Sequence, residues 1–266
     1  MSAAQSDIMT ETPKISLQNL HKRFGPVEVL KGLSLDIAKG ESVVVIGGSG
    51  TGKSVMLKCL LGLMEPDEGK IFVDGEETTH LRGAARTDLL AHFGMLFQGG
   101  ALFDSLSVWQ NVAFQGLQRH TLTRAQARDL AVRKLADVGL KPEVADMMPV
   151  ELSGGMEKRV ALARAIATDP DIILFDEPTT GLDPIMGDVI DRLIVKCTKE
   201  LGATTLSITH DMASARTIAD RIAMLYDGKL IWQGEASSID DCGNPFVDQF
   251  VNGRAEGPIQ MPVQAG

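Results

Sequence analysis

The stretch Gly47-Gly48-Ser49-Gly50-Thr51-Gly52-Lys53-Ser54 decides which fold this chain adopts. A short apolar run precedes it, and apolar residues at helical spacing follow it. This combination is typical of a phosphate-binding loop between a strand and a helix. Glycine lets backbone N–H groups turn toward phosphate oxygens, and the helix N-terminus adds partial positive charge. The alternative is an ordinary glycine-rich turn, which would need neither the apolar run before it nor the helical pattern after it. We therefore predict a nucleotide site, with Lys53 at the β- and γ-phosphates and Ser54 on Mg²⁺.

Short apolar runs alternate with helix-period segments along the chain, which is typical of a layered α/β domain. The runs Val43–Ile46 and Ile172–Phe175 are apolar on both faces, as central strands of a parallel sheet must be. The first and last strands are mixed in polarity, so we expect them to be antiparallel. The predicted strands are Ile15–Leu20, Leu33–Ile37, Glu41–Ile46, Lys70–Val73, Phe93–Phe97, Ile172–Phe175, Thr204–Ile208, Arg221–Tyr226 and Lys229–Trp232.

The segment 98–156 has a helical pattern and is interpreted as an insertion in the α/β core. Thr123 and Gln126 have the spacing of a capping box at a helix start. Apolar residues follow at helical spacing, and Gly139 supplies a C-terminal cap. We predict a helix between these two signals.

Composition restricts the classes of function. The chain of 266 residues has 26 basic and 35 acidic residues, a net charge of −9, which disfavours nonspecific binding to nucleic acid. Three scattered cysteines are too few for a disulfide framework or zinc cluster, so reduced thiols in a cytosolic protein are expected. No apolar run reaches the roughly 18–20 residues that span a bilayer, and no secretory signal is visible.

A second acidic motif lies far along the chain. The buried-type strand 172–175 runs into two adjacent acids, Asp176 and Glu177. Alone, this pattern fits a strand that enters a solvated turn equally well. Combined with a phosphate loop, it predicts that Asp176 holds Mg²⁺ and that Glu177 orients or deprotonates the attacking water.

Together with further motifs, these residues resemble the ATP-binding subunits of ABC transporters. Leu152-Ser153-Gly154-Gly155-Met156 looks like the signature loop of that family, with Ser153 lying 23 residues before Asp176. The other matches are Gln98 at the Q-loop position, Asp183 in the D-loop, His210 at the switch position and Phe24 where the family stacks an aromatic ring on adenine. The motifs occur in family order over about residues 15–234.

The resemblance implies the fold, the cofactors and the site. The expected fold is an α/β P-loop NTPase (RecA-like) core with an antiparallel β subdomain and an inserted helical subdomain. ATP and Mg²⁺ are the implied cofactors. The implied catalytic residues are Glu177, His210 and Gln98, and the implied metal ligands are Ser54, Gln98 and Asp176. The implied nucleotide contacts are Phe24, Gly47, Gly48, Ser49, Gly50, Thr51, Gly52, Lys53, Ser54, Ser153, Gly154, Gly155 and Asp183.

The family also implies a head-to-tail dimer in which each ATP lies between two copies of the chain. The phosphate loop of one copy and Ser153, Gly154 and Gly155 of the other would hold each nucleotide. A serine hydroxyl, exposed N–H groups and a helix N-terminus make a chemically sensible second anion site. Met156 stands where the family usually has Gln, and Phe24 where Tyr is commoner; neither change removes a phosphate or metal contact.

Within the ABC group, the resemblance is strongest to ATPases of the Mla type, which move phospholipids together with MCE proteins. The supporting stretches are Gly94–Gln98 running into Gly100–Asp104, the Met156 signature, and the tail Asn244–Pro258. The implied partners are a second copy, an integral-membrane permease, a periplasmic MCE lipid carrier and a STAS-domain subunit. The implied location is the cytoplasmic face of a bacterial inner membrane.

Two other classes of function remain open. The ATPase of an amino-acid or ion importer would differ only in its partner and cargo. A non-transport ABC ATPase of DNA repair or translation usually has a second nucleotide domain, a coiled-coil insertion or zinc cysteines. The sequence shows none of these, and its acidic charge disfavours a nucleic-acid partner.

The expected organisation is one ABC-type domain over 13–252, with its core at 13–97 and 157–234, the helical subdomain at 98–156, an extension at 235–266, and disorder over 1–12. The segment after Gln98 is expected to receive a permease helix, unless Leu102 and Phe103 belong to the core. Pro245 is predicted to start a short helix with an apolar face. That helix would dock on its own subunit, either alone or with residues 253–266 extending to a partner.

Overall fold

The computed structural model describes residues 12–260, so only Thr12 of the segment expected to be disordered is described. Within that range ten strands form two sheets. The strands are β1 (Ile15–Phe24), β2 (Val27–Ile37), β3 (Ser42–Ile46), β4 (Glu68–Val73), β5 (Glu76–Glu77), β6 (Phe93–Leu96), β7 (Ile172–Asp176), β8 (Thr204–Thr209), β9 (Arg221–Tyr226) and β10 (Lys229–Glu235).

The larger sheet has six strands in the order β10-β9-β3-β8-β7-β6. Its five strands from β9 to β6 pair in parallel, and β10 pairs antiparallel to β9. This confirms the prediction that the apolar runs are central parallel strands and that the last strand is antiparallel. Because parallel strands point the same way, the loops after β3, β7 and β8 emerge at one edge of the sheet.

The smaller sheet is antiparallel, in the order β2-β1-β4-β5. The apolar pattern predicted only the inner parts of β1 and β2, whereas the hairpin continues to the pair Phe24 and Val27. Its outer part contains charged residues such as Lys22 and Arg23, so the apolar pattern is lost there. The two-residue strand β5 was also missed, because both of its glutamates are exposed.

Nine α-helices complete the described part of the chain, with three short 3₁₀ turns at 142–146, 149–151 and 236–241. Their order places three helices within 98–156. The helices are α1 (Lys53–Leu60), α2 (Gly83–Leu90), α3 (Val108–Val112), α4 (Phe114–Gln118), α5 (Arg124–Asp137), α6 (Gly154–Ala165), α7 (Pro184–Leu201), α8 (Met212–Ile218) and α9 (Pro245–Val251). None of the helices in residues 12–260 is both long enough and apolar enough to cross a membrane.

Helix α5 confirms the predicted capping box. The Thr123 N–H donates to Gln126 Oε1 at 2.9 Å, and the Gln126 N–H donates to Thr123 Oγ1 at 3.3 Å. Gly139 follows the helix with φ of +71°, the left-handed conformation that a glycine cap supplies. The helix therefore lies between the two signals that predicted it.

Alternating side chains of β3 join two separate hydrophobic clusters. Val44 and Ile46 pack with the helices of the insertion and with α6 and α7. Val43 and Val45 pack against the antiparallel sheet and α1. All four side chains are fully buried, and each such burial contributes roughly 1.5–3 kcal/mol. The strand that leads into the phosphate loop is thus held from both faces.

The predicted tail helix forms as α9 and docks on its own subunit. Asn244 Oδ1 accepts from the Phe246 N–H at 2.9 Å, Phe246 packs on Tyr226 at 5.0 Å between ring centroids, and Val247 is fully buried. The hypothesis that residues 253–266 extend to a partner stays a prediction. Residues 254–259 return to α9, because Gln249 bonds backbone atoms of Arg254 and Ile259. Residues 261–266 lie outside the described range.

Candidate nucleotide-binding site

The phosphate loop joins β3 to α1, as the sequence predicted. Lys53 Nζ donates to the carbonyl oxygens of Gly47 and Gly48 at 2.7 and 2.9 Å. Gly47 has φ of +154°, and a Cβ atom there would lie 2.3 Å from the Leu225 carbonyl oxygen. Gly52 has φ of +108°, and a Cβ atom would lie 2.9 Å from Leu30. Both glycines are therefore required by strand packing beneath the loop as well as by the loop conformation.

The loop forms one wall of a cavity of about 730 Å³. This volume lies within the range of small-molecule sites. Among the predicted residues, the cavity brings together Gln98, Glu177 and His210 with the loop residues Gly48, Ser49, Gly50, Thr51, Gly52, Lys53 and Ser54. The strand ends of the parallel sheet thus assemble phosphate-binding and acidic groups around one space.

Lys53 is the buried cation of this cavity. Burial lowers the pKa of its ammonium group, while the charges of Glu177 and Asp176 act in the opposite direction. The ammonium group donates hydrogen bonds to backbone carbonyl oxygens of its own loop. A phosphate would supply the full negative charge that carbonyls lack, so the site favours an anionic ligand.

Glu177 is fixed by several hydrogen bonds at the acidic edge. Its N–H donates to the Ile208 carbonyl at 2.9 Å, so its backbone is tied to β8. Its Oε2 accepts from Thr180 Oγ1 at 3.1 Å and from Thr209 Oγ1 at 3.4 Å. His210 Nδ1 lies 3.0 Å from Glu177 Oε1. The glutamate is thus oriented by the loop after β7 together with the end of β8 and the loop that follows it.

The backbone of Glu177 is strained. Its φ of +50° lies in the left-handed region, which residues with a Cβ atom rarely adopt. Such a conformation costs of order 1–3 kcal/mol and persists where surrounding structure imposes it, often at functional sites. The Glu177 side chain lines the same cavity as the phosphate loop.

Asp176 has the environment of a metal ligand. Its Oδ1 is buried and has no hydrogen-bond partner among the described residues. Burial and the neighbouring Glu177 raise the pKa of its carboxyl, while the charges of Lys58, Lys53 and Lys158 lower it. A carboxylate oxygen that is buried and unpaired fits Mg²⁺, which binds through one or two carboxylates together with phosphate oxygens.

The signature residues lie elsewhere and do not line this cavity. Ser153 is the N-cap of α6, and its Oγ accepts from the Met156 N–H at 3.4 Å. Ser153 and Gly154 are exposed, while Gly155 approaches α7 so closely that a Cβ atom would lie 2.9 Å from Met186 Sδ. Within one subunit the signature loop therefore presents a helix N-terminus to its surroundings.

Two other predicted residues also lie apart from the cavity. Asp183 caps α7, because its Oδ1 accepts from the N–H groups of Ile185 and Met186 at 3.0 Å each. Phe24 ends β1 on an exposed part of the hairpin and is not a lining residue. Their predicted roles toward ATP remain predictions.

Sequence reasoning missed several contributors to the site. Thr180 and Thr209 orient Glu177, and Val29, Val55 and Phe250 line the cavity. Thr180 and Thr209 lie close in sequence to the predicted Glu177 and His210, so this proximity was an available signal. Phe250 belongs to α9, more than 190 residues after the phosphate loop, and no local pattern places it there.

The fold and this cavity define the class of protein: a nucleotide hydrolase built around a phosphate loop. A family model described as ABC transporter matches residues 30–180. The chain belongs to the ABC transporter family, as an ATP-binding subunit that binds and hydrolyses ATP.

Curated relatives match nearly the whole chain. Protein trigalactosyldiacylglycerol 3 of Arabidopsis thaliana is 42% identical, over 92% of this chain and 75% of the relative. A probable ribonucleotide transport ATP-binding protein of Mycobacterium leprae is 41% identical, over 93% and 71%. The intermembrane phospholipid transport system ATP-binding protein MlaF of Haemophilus influenzae is 38% identical, over 94% of this chain and 95% of the relative.

A solved structure supports the same assignment. It is a dimeric ATP-binding cassette in a post-hydrolysis state with ADP and phosphate. The TM-score is 0.76 and the sequence identity 34%, over 84% of this chain and 98% of that chain. The similarity thus extends over most of this chain and nearly all of that cassette.

Proposed function

We propose that this chain is the ATP-hydrolysing subunit of a bacterial inner-membrane transporter that moves phospholipids between the inner and outer membranes. The observation that carries the proposal is the end-to-end match with MlaF, which covers 94% of this chain and 95% of that protein. The match covers nearly the whole of both proteins, whereas the relative named for ribonucleotide transport is covered over 71% of its length.

The site supports a division of labour among its residues. The loop N–H groups and Lys53 would hold the phosphates, and Ser54, Asp176 and Gln98 would hold Mg²⁺. When bound, Mg²⁺ would supply positive charge to the phosphate oxygens. Glu177 accepts a proton from the attacking water, and His210 holds the Glu177 carboxylate in place through the 3.0 Å contact.

The second half of each nucleotide site comes from another copy of the chain. Support comes from the exposed signature helix N-terminus and from the dimeric state of the similar cassette. Exposed N–H groups and the dipole of α6 suit the γ-phosphate of a nucleotide held by the facing subunit.

Mixed dimers test the pairing. A mixture of Ser153→Arg and Lys53→Ala chains restores one complete site in each mixed dimer and leaves the other site doubly broken. We expect the mixture to hydrolyse ATP faster than either variant alone. No gain, together with nucleotide crosslinking to one chain only, would contradict the trans arrangement.

A second cavity, called here the apolar groove, suits a helix of the permease. Its volume is about 530 Å³, and its lining is mainly apolar: Leu61, Leu63, Leu90, Phe93, Met95, Phe97, Val112 and Phe114, with Thr87, Gly94, Gln115, Gln118, Arg119, Arg164 and Ala165. Phe97 lines the groove and the next residue, Gln98, lines the nucleotide cavity. Two neighbouring residues thus link the groove to the hydrolysis site.

The loop beside the groove, residues 99–107, is fixed by side-chain hydrogen bonds to its backbone. Asn111 is fully buried, and its side chain bonds backbone atoms of Phe103, Leu106 and Ser107 at 2.8–3.2 Å. Arg164 donates to the carbonyl oxygens of Gly100 and Ala101, at 2.7 and 2.8 Å. Leu102 is partly buried against the core, which fits the core alternative for that residue.

Phe103 differs from Leu102. It remains 44% exposed and stacks on the groove residue Phe114 at 4.5 Å between ring centroids. A rigid loop that displays an aromatic ring beside an apolar groove favours partner docking over a solvated turn.

Purification from detergent-solubilised membranes tests the whole proposal. We expect a permease, an MCE-type lipid carrier and a small STAS-domain subunit to co-purify with the chain. Before solubilisation, the chain should be found at the cytoplasmic face of the inner membrane. Reconstituted in liposomes, the complex should transfer labelled phospholipid when Mg-ATP is added. Recovery with a solute-binding protein and no lipid transfer would overturn the proposal.

Ribonucleotide transport is the second candidate, because a relative with that name is 41% identical over 93% of this chain. The same reconstituted complex decides between the two. ATP-dependent uptake of labelled ribonucleotide without movement of phospholipid would favour the second candidate.

A further inference from the structure

A small cavity of about 140 Å³ lies behind the acidic edge, among α7, α8 and the loop after β7. Three of its lining side chains are almost completely buried: Asp191 at 3% exposure, Thr179 at 7% and Ser214 at 1%. Thr179 Oγ1 and Ser214 Oγ lie 2.9 Å apart. Asp191 Oδ1 is buried and has no hydrogen-bond partner in the part of the chain described. An unpaired buried carboxyl oxygen is costly and calls for a physical explanation.

The charges that face Asp191 are acidic. Asp183 and Asp211 line the cavity from the starts of α7 and α8, where their carboxylates cap those helices. Asp188 lines it one turn earlier on α7 and bonds Arg192 Nε at 2.8 Å. The lining contains no lysine or arginine, so Asp191 has no counter-ion there.

A proton is the ligand that fits this carboxyl. Burial raises the pKa of Asp191 to about 6, with Asp211 and Asp188 acting in the same direction and the Ser214 hydroxyl lowering it. No group of three or more acidic, histidine or cysteine residues in residues 12–260 is arranged to hold a metal ion. Protonation removes the unpaired charge and converts the carboxyl into a donor for a neighbouring hydroxyl.

We propose that Asp191, Thr179 and Ser214 form a proton-dependent joint that positions Glu177 and His210 for ATP hydrolysis. Thr179 lies two residues after Glu177, and Ser214 lies four residues after His210. Asp191 belongs to the helix that follows the same loop. The joint therefore ties together the two segments that carry the hydrolytic pair without touching the nucleotide.

The charge state of Asp191 sets how firmly the joint is held. A protonated Asp191 donates to a hydroxyl of the joint and holds the two segments together. An ionised Asp191 places an unpaired charge beside three other acids, which loosens the contact. The positioning role rests on the proposed roles of Glu177 and His210, whereas the proton site itself does not.

Asp191→Asn is the decisive variant, because the amide keeps the shape, donates hydrogen bonds and does not titrate. We would measure kcat and KM for Mg-ATP with the purified full chain between pH 5.5 and 8. The ratio of kcat for Asp191→Asn to kcat for wild type should be near one at pH 5.5. It should rise several-fold by pH 7.5, with a midpoint near the pKa of about 6 and with an unchanged KM ratio. Taking a ratio removes the titration of other groups.

Asp188→Asn is the matched control. This carboxylate lies on the same helix, but it is exposed and pairs with Arg192. Because Asp188 raises the pKa of Asp191, its removal should move the wild-type decline in kcat slightly to lower pH without changing the size of that decline, so the kcat ratio of the control should be near one at pH 7.5. A flat ratio for Asp191→Asn, or an equal rise in the control, would overturn the proposal.

Ser214→Ala gives a second test that keeps the carboxyl. Because the Ser214 hydroxyl lowers the pKa of Asp191, its removal should move the midpoint of the alkaline decline in kcat to higher pH. An unmoved midpoint would contradict the joint, and a uniform loss of kcat and thermal stability at every pH would show a structural role only. The proposed catalytic role of Glu177 is tested independently of the joint, because it would be contradicted if Glu177→Gln hydrolysed ATP at the normal rate.

Discussion

The nucleotide cavity and the apolar groove are built in different ways, although Gln98 and its neighbour Phe97 connect them. The nucleotide cavity takes most of its wall from one continuous loop, and its chemistry from charged groups at the ends of parallel strands. The groove takes single apolar side chains from several helices and strands. Nucleotide chemistry therefore depends on few residues in fixed geometry, whereas partner recognition is spread over a surface that many substitutions can alter gradually.

The largest expected effect lies at the acidic edge of the nucleotide cavity. Glu177→Gln keeps the shape and loses the base, so kcat should fall by about 10²–10⁴-fold while ATP binding remains. ATPase assays and nucleotide binding measured side by side check this, and the variant should accumulate as an ATP-bound dimer. Asp171→Asn, at the exposed opposite end of β7, serves as control and should hydrolyse ATP normally. Near-normal turnover of Glu177→Gln would remove Glu177 from the catalytic role.

The next effect separates binding from chemistry within the same cavity. Lys53→Ala removes a buried cation that contacts phosphate in the ground state, and a hydrogen bond to a charged group contributes about 1.5–3 kcal/mol. ATP affinity should therefore fall roughly 10- to 100-fold, with a further loss of rate. Fluorescent-nucleotide titration measures the affinity, and exposed Lys39→Ala is the control. Unchanged affinity would mean that the loop N–H groups alone hold the phosphates.

A charge beside the apolar groove should act on the partner and spare the nucleotide cavity. Phe103→Asp should weaken permease binding by about tenfold or more, because truncation of a buried interface aromatic typically costs over 1–2 kcal/mol. The isolated subunit should keep its ATPase activity and nearly all of its thermal stability. Pull-down of the complex and melting of the isolated chain are the measurements.

Two further variants define the groove. Leu63→Asp changes a lining residue and should behave like Phe103→Asp. Val150→Asp changes an apolar residue that is 90% exposed and not part of the groove, so permease binding should persist. A clear loss of stability in isolated Phe103→Asp would instead favour a core role for that ring.

The smallest expected effect concerns the tail that returns to α9. Deletion of 254–266 removes the backbone partners of Gln249, whose side chain then reaches water, so the free energy of unfolding should fall by no more than about 1 kcal/mol. Deletion from residue 244 also removes buried Val247 and should cost roughly 1.5–3 kcal/mol more. Urea unfolding of both truncations checks the order. A tail that also contacts a partner would show weaker dimer or complex assembly in the shorter truncation.

The sequence by itself determined the parts of the molecule that depend on neighbours along the chain. The phosphate loop, the central strands, the Thr123 capping box and the helix start at Pro245 all follow from local rules of backbone geometry and apolar period. The sequence also allows the two acids at the end of β7 to be placed near the histidine after β8, since parallel strands end at one edge of the sheet. These signals are short in range, so each can be recognised without knowledge of the rest of the chain.

Only the tertiary structure decided the contacts between residues that are distant in sequence. Thr179 and Ser214 are 35 residues apart, and Phe250 reaches the nucleotide cavity from the far end of the chain. The left-handed backbone of Glu177 and the return of the tail to Gln249 likewise depend on elements already packed together. No local pattern encodes such contacts, because the same residue types on a solvated surface would satisfy the local rules equally well. Their energies arise from burial and pairing, which exist only once the chain has folded.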